Sequence, residues 1–336
     1  MGKVKYRIRT PCLKVSSLTN VKFTIQTSAR CSSPNDWETL RAIATRCEEL
    51  GYDTIWFGDH LATGDSRLEC WTIMSALATC TKNIRIGSMV LCNNFRNPAL
   101  LAKMAASLDI ISRGRLEFGI GAGGNREEHE SYGYDFPSPR ERIHRLRESL
   151  EIIKRMWTQD RPSYHGEYYQ IAGALSAPKP LQKPHPPITI GGGGERYTLR
   201  VVAKYADRWN GFGPLNQFLM KTKILEKYCA QIGRNPSEIE KSYYFMLGIY
   251  HNESELDERL KKDYQNLPVG YAASYEKWME IVRARYILGT PEECLRQIRN
   301  IIDSGVTHFV IGSERQVTNT RMDELQLFSD EIAKKI

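Results

Sequence analysis

The sequence predicts an α/β chain folded as a (β/α)₈ TIM barrel, and three observations predict it. Short β-branched or aromatic runs recur about every thirty residues with helix-like stretches between them, the period of a strand plus a crossover helix. Eight such runs can be counted. The length of 336 residues suits a barrel folded as one domain over 1–336.

The first four runs are VKFTIQT (21–27), DTIWFG (53–58), IRIGSMVL (84–91) and RLEFGIG (115–121). PITIGG (187–192), DRWNGF (207–212), EKSYYFMLGIY (240–250) and VTHFVIG (306–312) complete the set. A doubly wound open sheet shows the same local pattern, so the choice between the two rests on motifs. Helix punctuation agrees with the parsing: Thr290 reads as an N-cap, Pro291 as the first helical residue and Glu293 as its capping-box partner.

Two stretches break the repeat. Residues 158–187, after the fourth helix, are proline-rich near their end and contain a hairpin-like segment, SYHGEYYQIAG, whose Tyr164, Tyr168 and Tyr169 imply packing. Residues 251–289, after the seventh strand, exceed a single crossover, which predicts extra helices over one side of the barrel mouth. Both insertions are expected to shape a substrate pocket.

Composition narrows the function classes. Hydrophobic residues at 41% and charged residues at 26% describe a protein with a real core. The net charge of +8 favours anionic partners, but the basic residues are scattered through helix-like segments rather than gathered in a stripe with aromatics, so no nucleic acid is expected. The basic stretch 1–20 reads as an N-terminal extension without the apolar core of a secretory signal, and nowhere do eighteen apolar residues run together. These features predict no membrane partner and a cytoplasmic location. Eight cysteines lack C-x-x-C or zinc-ligand spacing, so core thiols are expected and a metal site is not.

The chemistry-bearing residues gather at strand ends, where catalytic side chains of barrels collect. WFGDHL ends the second strand with Asp59 and His60, a carboxylate beside an imidazole able to move a proton near neutral pH, or a local hydrogen-bonded turn. EFGIGAGG contains G-x-G-x-x-G at Gly119, Gly121 and Gly124, but on the fourth unit and without the acidic strand end of a dinucleotide site. It reads better as a strand end lying against a planar ring. REEHESYG follows with Glu127, Glu128, His129 and Tyr132, of which His129 is the expected ligand contact. GGGGERYT lacks the Lys-Ser/Thr of a nucleotide P-loop, yet four glycines between a strand and a helix let backbone N–H groups converge on a phosphate beside Arg196.

Taken together, WFGDH, RNPALLAKMAASLDIISRGRLEFGIGAG, YGYDFPSPRERIHRLRESLEIIKRMW, PKPLQKPHPPITIGGGGERYTLRVVAKYADRWN and GTPEE closely resemble the luciferase-like monooxygenase superfamily. Within it they are most similar to the coenzyme F-420-dependent oxidoreductases, from about Phe23 to Ile311. The resemblance implies a luciferase-like barrel with coenzyme F-420 (8-hydroxy-5-deazaflavin) at its C-terminal mouth, or FMN as the alternative cofactor. It further implies that Gly193, Gly194, Arg196 and Tyr197 contact the phosphate-bearing side chain of the cofactor. A non-prolyl cis peptide at Met89–Val90 would lie against the ring, with Cys92 at its edge and Ala122 and Gly123 beneath it. His60 matches the proton-transfer histidine of related sugar-phosphate dehydrogenases and Asp59 the adjacent cofactor contact. Those dehydrogenases place a glutamate where this chain has Gly124, so their substrate is not carried over.

The expected activity is hydride transfer between the deazaflavin C5 and a small organic substrate, with His60 as the catalytic residue. A basic surface suits a cofactor whose phosphate and oligoglutamate tail are anionic. The alternatives are an FMN-dependent monooxygenase and a noncatalytic flavin-binding protein. A homodimer is expected from the likeness.

Overall fold

The computed structural model describes residues 21–61, 66–267, 272–312 and 319–336. The extension expected at 1–20 lies outside the described residues.

The barrel strands and helices alternate as β1 (Lys22–Thr27), α1 (Pro34–Glu49), β2 (Thr54–Phe57), α2 (Cys70–Cys80), β3 (Arg85–Ser88), α3 (Pro98–Ile111), β4 (Leu116–Gly121), α4 (Arg126–Ser131) and α5 (Pro139–Thr158). They continue as β5 (Ile188–Gly191), α6 (Thr198–Tyr205), β6 (Arg208–Phe212), α7 (Leu215–Gln231), β7 (Glu240–Ile249), α8 (Glu253–Gln265), α9 (Tyr275–Arg285), α10 (Pro291–Asp303), β8 (His308–Gly312) and α11 (Asn319–Glu331). Each strand pairs in parallel with the next, and β8 pairs with β1, so the sheet closes. Closure excludes the doubly wound alternative. All eight expected strands are present, within three residues of their expected ends.

Period-two alternation explains why the strands close on themselves. Phe23, Ile25, Ile55, Phe57, Phe118 and Ile120 join the apolar core that the helices cover. The alternating set is polar or glycine on β1 and β4 (Thr24, Gln26, Glu117, Gly119, Gly121) and is Thr54 and Trp56 on β2. At the N-terminal ends of the strands this inner set forms a buried ionic layer. Arg208 donates to Glu117 at 2.7 Å and to Glu240 at 2.7 Å, Lys22 donates to Glu240 at 2.9 Å, and Arg85 also pairs with Glu117. Burial opposes ionisation of Glu117, but Arg208 and Arg85 outweigh it and hold the carboxyl below its usual range.

Local signals set the helix starts. Ser33 and Asp36 form a capping box ahead of α1, Asn97 caps α3 with Pro98 at its first position, and Glu293 accepts from the Thr290 N–H at 2.9 Å. The hairpin expected within 163–173 forms between Tyr164–His165 and Gln170–Ile171. Glu148 of α5 binds it through the N–H groups of Glu167, Tyr168 and Tyr169 at 2.8, 3.0 and 3.0 Å.

That contact corrects one expectation. Residues 158–187 lie along α3 and α5 and contribute nothing to the cavities at the mouth among the described residues. After β7 the expected extra helices are α8 and α9, and they do border the mouth. A further parallel strand, Tyr286–Gly289, follows them and pairs with Met246–Ile249, where β7 has run past β8.

Candidate active site

Two adjoining cavities, each of about 590 Å³, open at the C-terminal mouth. One lies over β3, β4 and β5, and the other between the mouth and α8–α9. Gln26, His60 and Tyr244 border both.

The floor of the first cavity is built by a bulge after β3. The Met89–Val90 peptide is cis, and Gln26 Nε2 donates to the Met89 carbonyl at 3.2 Å. The Val90 isopropyl group then sits where three neighbours have no side chain. A Cβ on Gly119, Gly121 or Gly191 would come 3.2, 2.8 or 3.0 Å from a Val90 methyl, and one on Gly119 would come 1.8 Å from the Ser88 carbonyl oxygen. The glycines of EFGIG and the first of GGGG are therefore required by close packing within the chain. No dinucleotide is needed to explain them.

Beside the bulge, Asp59 is fully engaged. Its Oδ2 accepts from the Cys92 N–H at 2.9 Å and from Arg96 at 2.7 Å, and its Oδ1 accepts from Arg96 at 3.0 Å. Arg96 also pairs with Glu69. Burial works against the Arg96 charge, but Asp59 and Glu69 prevail and hold the guanidinium protonated. Asp59 thus borders the cavity as the clamp that fixes the Cys92 backbone.

His60 stands next to it at the junction of the two cavities. Its Nδ1 lies 2.8 Å from Glu128 Oε1, and the Glu128 side chain is 3% exposed against 45% for His60. A carboxylate only accepts, so Nδ1 donates and Nε2 is the nitrogen left for a substrate proton. Asn125 caps α4 through the Glu128 N–H at 3.3 Å, which places Glu128 in the first turn.

His129 is fixed beside Cys92. Its Nδ1 donates to the Asn125 carbonyl at 2.6 Å, and its ring packs 4.9 Å from Phe95 and 4.9 Å from Phe136. Its Nε2 lies 3.3 Å from Asn94 Nδ2 and 3.6 Å from Cys92 Sγ. Burial pushes the Cys92 thiol up to about 12, so the sulfur stays protonated and can donate to His129. Gly123, at φ +77°, has no room for a side chain because a Cβ would lie 2.6 Å from Cys92 Sγ. Ala122 and Gly123 both line the cavity.

The glycine loop closes the far end. Gly191, Gly192 and Thr198 reach the cavity, whereas Gly193, Gly194, Arg196 and Tyr197 lie just beyond its rim. A Cβ on Gly193 would come 2.7 Å from Lys221 Nζ, and one on Gly194 would come 2.8 Å from Thr198 Oγ1. The ammonium of Lys221 therefore rests against bare backbone at the start of α6, a helix with no side-chain cap on its N-terminal N–H groups. Among the described residues Lys221 has no carboxylate partner. An uncapped helix start, unsubstituted backbone and a lone ammonium together make a place for a phosphate.

A family model described as luciferase-like monooxygenase matches residues 17–308. The chain belongs to the luciferase-like monooxygenase family. An F420-dependent glucose-6-phosphate dehydrogenase of Amycolatopsis mediterranei (strain U-32) is 29% identical over 326 residues, covering 86% of this chain and 92% of the relative. The solved coenzyme F420-dependent tetrahydromethanopterin reductase from Methanopyrus kandleri has a TM-score of 0.77 at 19% identity, over 94% of this chain and 99% of that one. The oxygenating constituent of 3,6-diketocamphane monooxygenase from Pseudomonas putida, in complex with FMN, has a TM-score of 0.77 at 17% identity, over 95% and 99%. At those identities the structures show that the luciferase-like barrel is shared.

Within this luciferase-like barrel, the residues singled out in the sequence fall into two groups. Asp59, His60, Met89, Val90, Cys92, Ala122, Gly123 and His129 surround one cavity. Gly193, Gly194, Arg196 and Tyr197 flank the helix start outside it. Two residues were not singled out there, Glu128 and Lys221. Glu128 was visible within REEHES but looked like an ordinary acidic first turn, and Lys221 carries no local signal in LNQFLMKTKILEKY. Among the described residues no group of three or more His, Cys, Asp or Glu is arranged to hold a metal, and no helix is long and apolar enough to cross a membrane.

Proposed function

We infer that this chain is a coenzyme F-420-dependent oxidoreductase acting on a small organic substrate. The observation that carries the reading is the meeting of two cavities at His60, one floored by the Val90 bulge and one walled by α8 and α9. The names of its sequence relatives support the same cofactor.

Met89, Val90, Ala122 and Gly123 would hold one face of the deazaflavin, with Cys92 and His129 at its edge. Gly193, Gly194, Arg196, Lys221 and the start of α6 would hold its phosphate. When bound, the cofactor supplies hydride transfer at C5. In the oxidising direction His60 Nε2 would take the proton of the substrate hydroxyl whose carbon loses its hydride to the cofactor. Reduction runs the same steps backwards with His60 as the acid. Glu128 keeps the ring in the tautomer that offers Nε2.

The second cavity supplies the substrate's place, beside Tyr244, Tyr250, Trp278 and Tyr286. At Gly124 a Cβ would meet nothing within 4 Å, so the position at which related sugar-phosphate dehydrogenases carry a glutamate is open space here. The substrate is accordingly proposed as a small molecule that needs one acid/base group. The reading also takes residues 1–336 as one domain that works as a homodimer in the cytoplasm, the last in keeping with the buried, unbridged thiols of Cys31, Cys70, Cys229 and Cys294.

A visible-absorbance titration with the two cofactors tests the reading. Binding of F-420 at micromolar concentration with no retention of FMN is the expected result. Retention of FMN with oxygen consumption would replace it with the monooxygenase reading that the family name and the FMN-bound neighbour support. Binding that His60→Ala leaves intact, with no turnover of any substrate by the native protein, would leave a noncatalytic flavin carrier.

A further inference from the structure

Outside the mouth, a groove of about 280 Å³ runs over α6 between α5 and α7. Its basic lining is His144 and Arg147 from α5 and Arg200 and Lys204 from α6, and no acidic residue lines it. The groove starts at Tyr197, the residue that joins the glycine loop to α6, and Arg196 lies over the Tyr197 ring at 5.2 Å.

These cations are paired differently from those elsewhere on the surface. Arg41, Arg46, Arg126 and Arg145 each hold a glutamate three or four residues away. Among the described residues Arg147, Arg196 and Arg200 have no carboxylate partner, and Arg200 instead lies 4.8 Å over the Tyr228 ring. Only Lys204 is paired, with Glu151 at 3.4 Å. Arg200 and Lys204 are four apart on α6 and both border the groove, while Arg196 stands in the turn just before the helix. The result is a line of positive charge beginning at the loop where Lys221 lies over Gly193.

We propose that this groove binds the oligocarboxylate tail of the cofactor and thereby selects a tailed deazaflavin over FMN, which ends at its phosphate. The proposal rests on the phosphate site assigned above. From that site the tail continues past Tyr197, and successive carboxylates meet Arg196, Arg200 and Arg147. Each exposed contact is weak and screened by salt, so selection comes from several contacts in series.

The test is a fluorescence titration of the whole chain with F-420 bearing several glutamates and with the same deazaflavin truncated before the first glutamate. At low salt the tailed form is expected to bind roughly tenfold more tightly, an advantage that shrinks severalfold as salt screens the exposed pairs. Replacing both Arg147→Glu and Arg200→Glu should erase the advantage and leave the truncated form's affinity unchanged. Equal affinities for the two forms in the native protein would overturn the groove and leave the cofactor reading standing. Binding of neither form would overturn both. Should the double variant fail to fold, the comparison of the two forms in the native chain, at low and high salt, still decides.

Discussion

The half-exposed imidazole of His60 is hydrogen-bonded at 2.8 Å to the buried carboxylate of Glu128, which comes from the helix after β4 and not from the strand end itself. That contact suits the carboxylate to orient the ring, which is the role proposed for it above.

Glu128→Gln should therefore lower kcat by roughly ten- to a hundredfold while changing KM and F-420 affinity little, since an amide can present the wrong partner to Nδ1. His60→Ala should lose about 10²- to 10⁴-fold, the usual range for a general acid or base. Steady-state kinetics beside a binding titration separates the two effects. A large fall in cofactor affinity for Glu128→Gln would assign the residue to the cradle instead.

Gly119→Ala and Gly121→Ala are expected to destabilise the protein by about 1–3 kcal/mol or more and to weaken cofactor binding, because a Cβ at either site strikes Ser88 or Val90. Gly124→Ala is the internal control, since its Cβ meets nothing within 4 Å. Urea unfolding of the three variants reads the difference directly. Equal midpoints would contradict the packing around Val90.

Lys221→Ala should weaken binding of the phosphate-bearing cofactor by roughly tenfold, in line with the loss of one charge-assisted contact. Binding of the same ring lacking its phosphate should not change. Parallel titrations with the two forms measure this, and an equal loss for both would show that Lys221 acts on the fold.

Among the described cysteines, Cys80 is exposed and Cys92 is buried with its thiol pushed up to about 12. Alkylation at neutral pH should label Cys80 first and leave Cys92 unmodified in the native protein. Peptide mass mapping after brief treatment with iodoacetamide provides the check.

The ionic layer at the base of the barrel makes a pH prediction. Glu117 starts from an ordinary value of 4.5 and is held lower in the fold, so its contribution is complete above that value and is lost as pH falls through the folded one. Glu117→Gln should cost about 3–5 kcal/mol at neutral pH by leaving Arg208 and Arg85 short of charge. Its stability should also fall less steeply than that of the native protein below pH 4.5. Denaturant titrations at several pH values test both statements.

The strands were legible because β-branched and aromatic residues recur at a fixed spacing, and Asp59–His60 stood out because it ends such a run, whereas Met89–Val90 was reached only through the family resemblance. Glu128 and Lys221 were harder to see, since on a helix an acid or a lysine is the ordinary surface residue and only the fold says what it faces. Residues 158–187 misled for a related reason. Tyrosines and prolines promise packing without saying against which wall, and here the wall is α5. The strand Tyr286–Gly289 was hidden in RARYILG because four residues following a helix give no alternation to read.

That short strand has its own consequence. By overrunning its neighbour, β7 offers a spare edge at Met246–Ile249, and the α8–α9 insertion is anchored there, outside the closed ring of eight. The compartment it encloses can be rebuilt by changes in length or sequence that never disturb the ring's register. A lineage of such proteins could exchange one substrate for another while inheriting the same redox machinery intact.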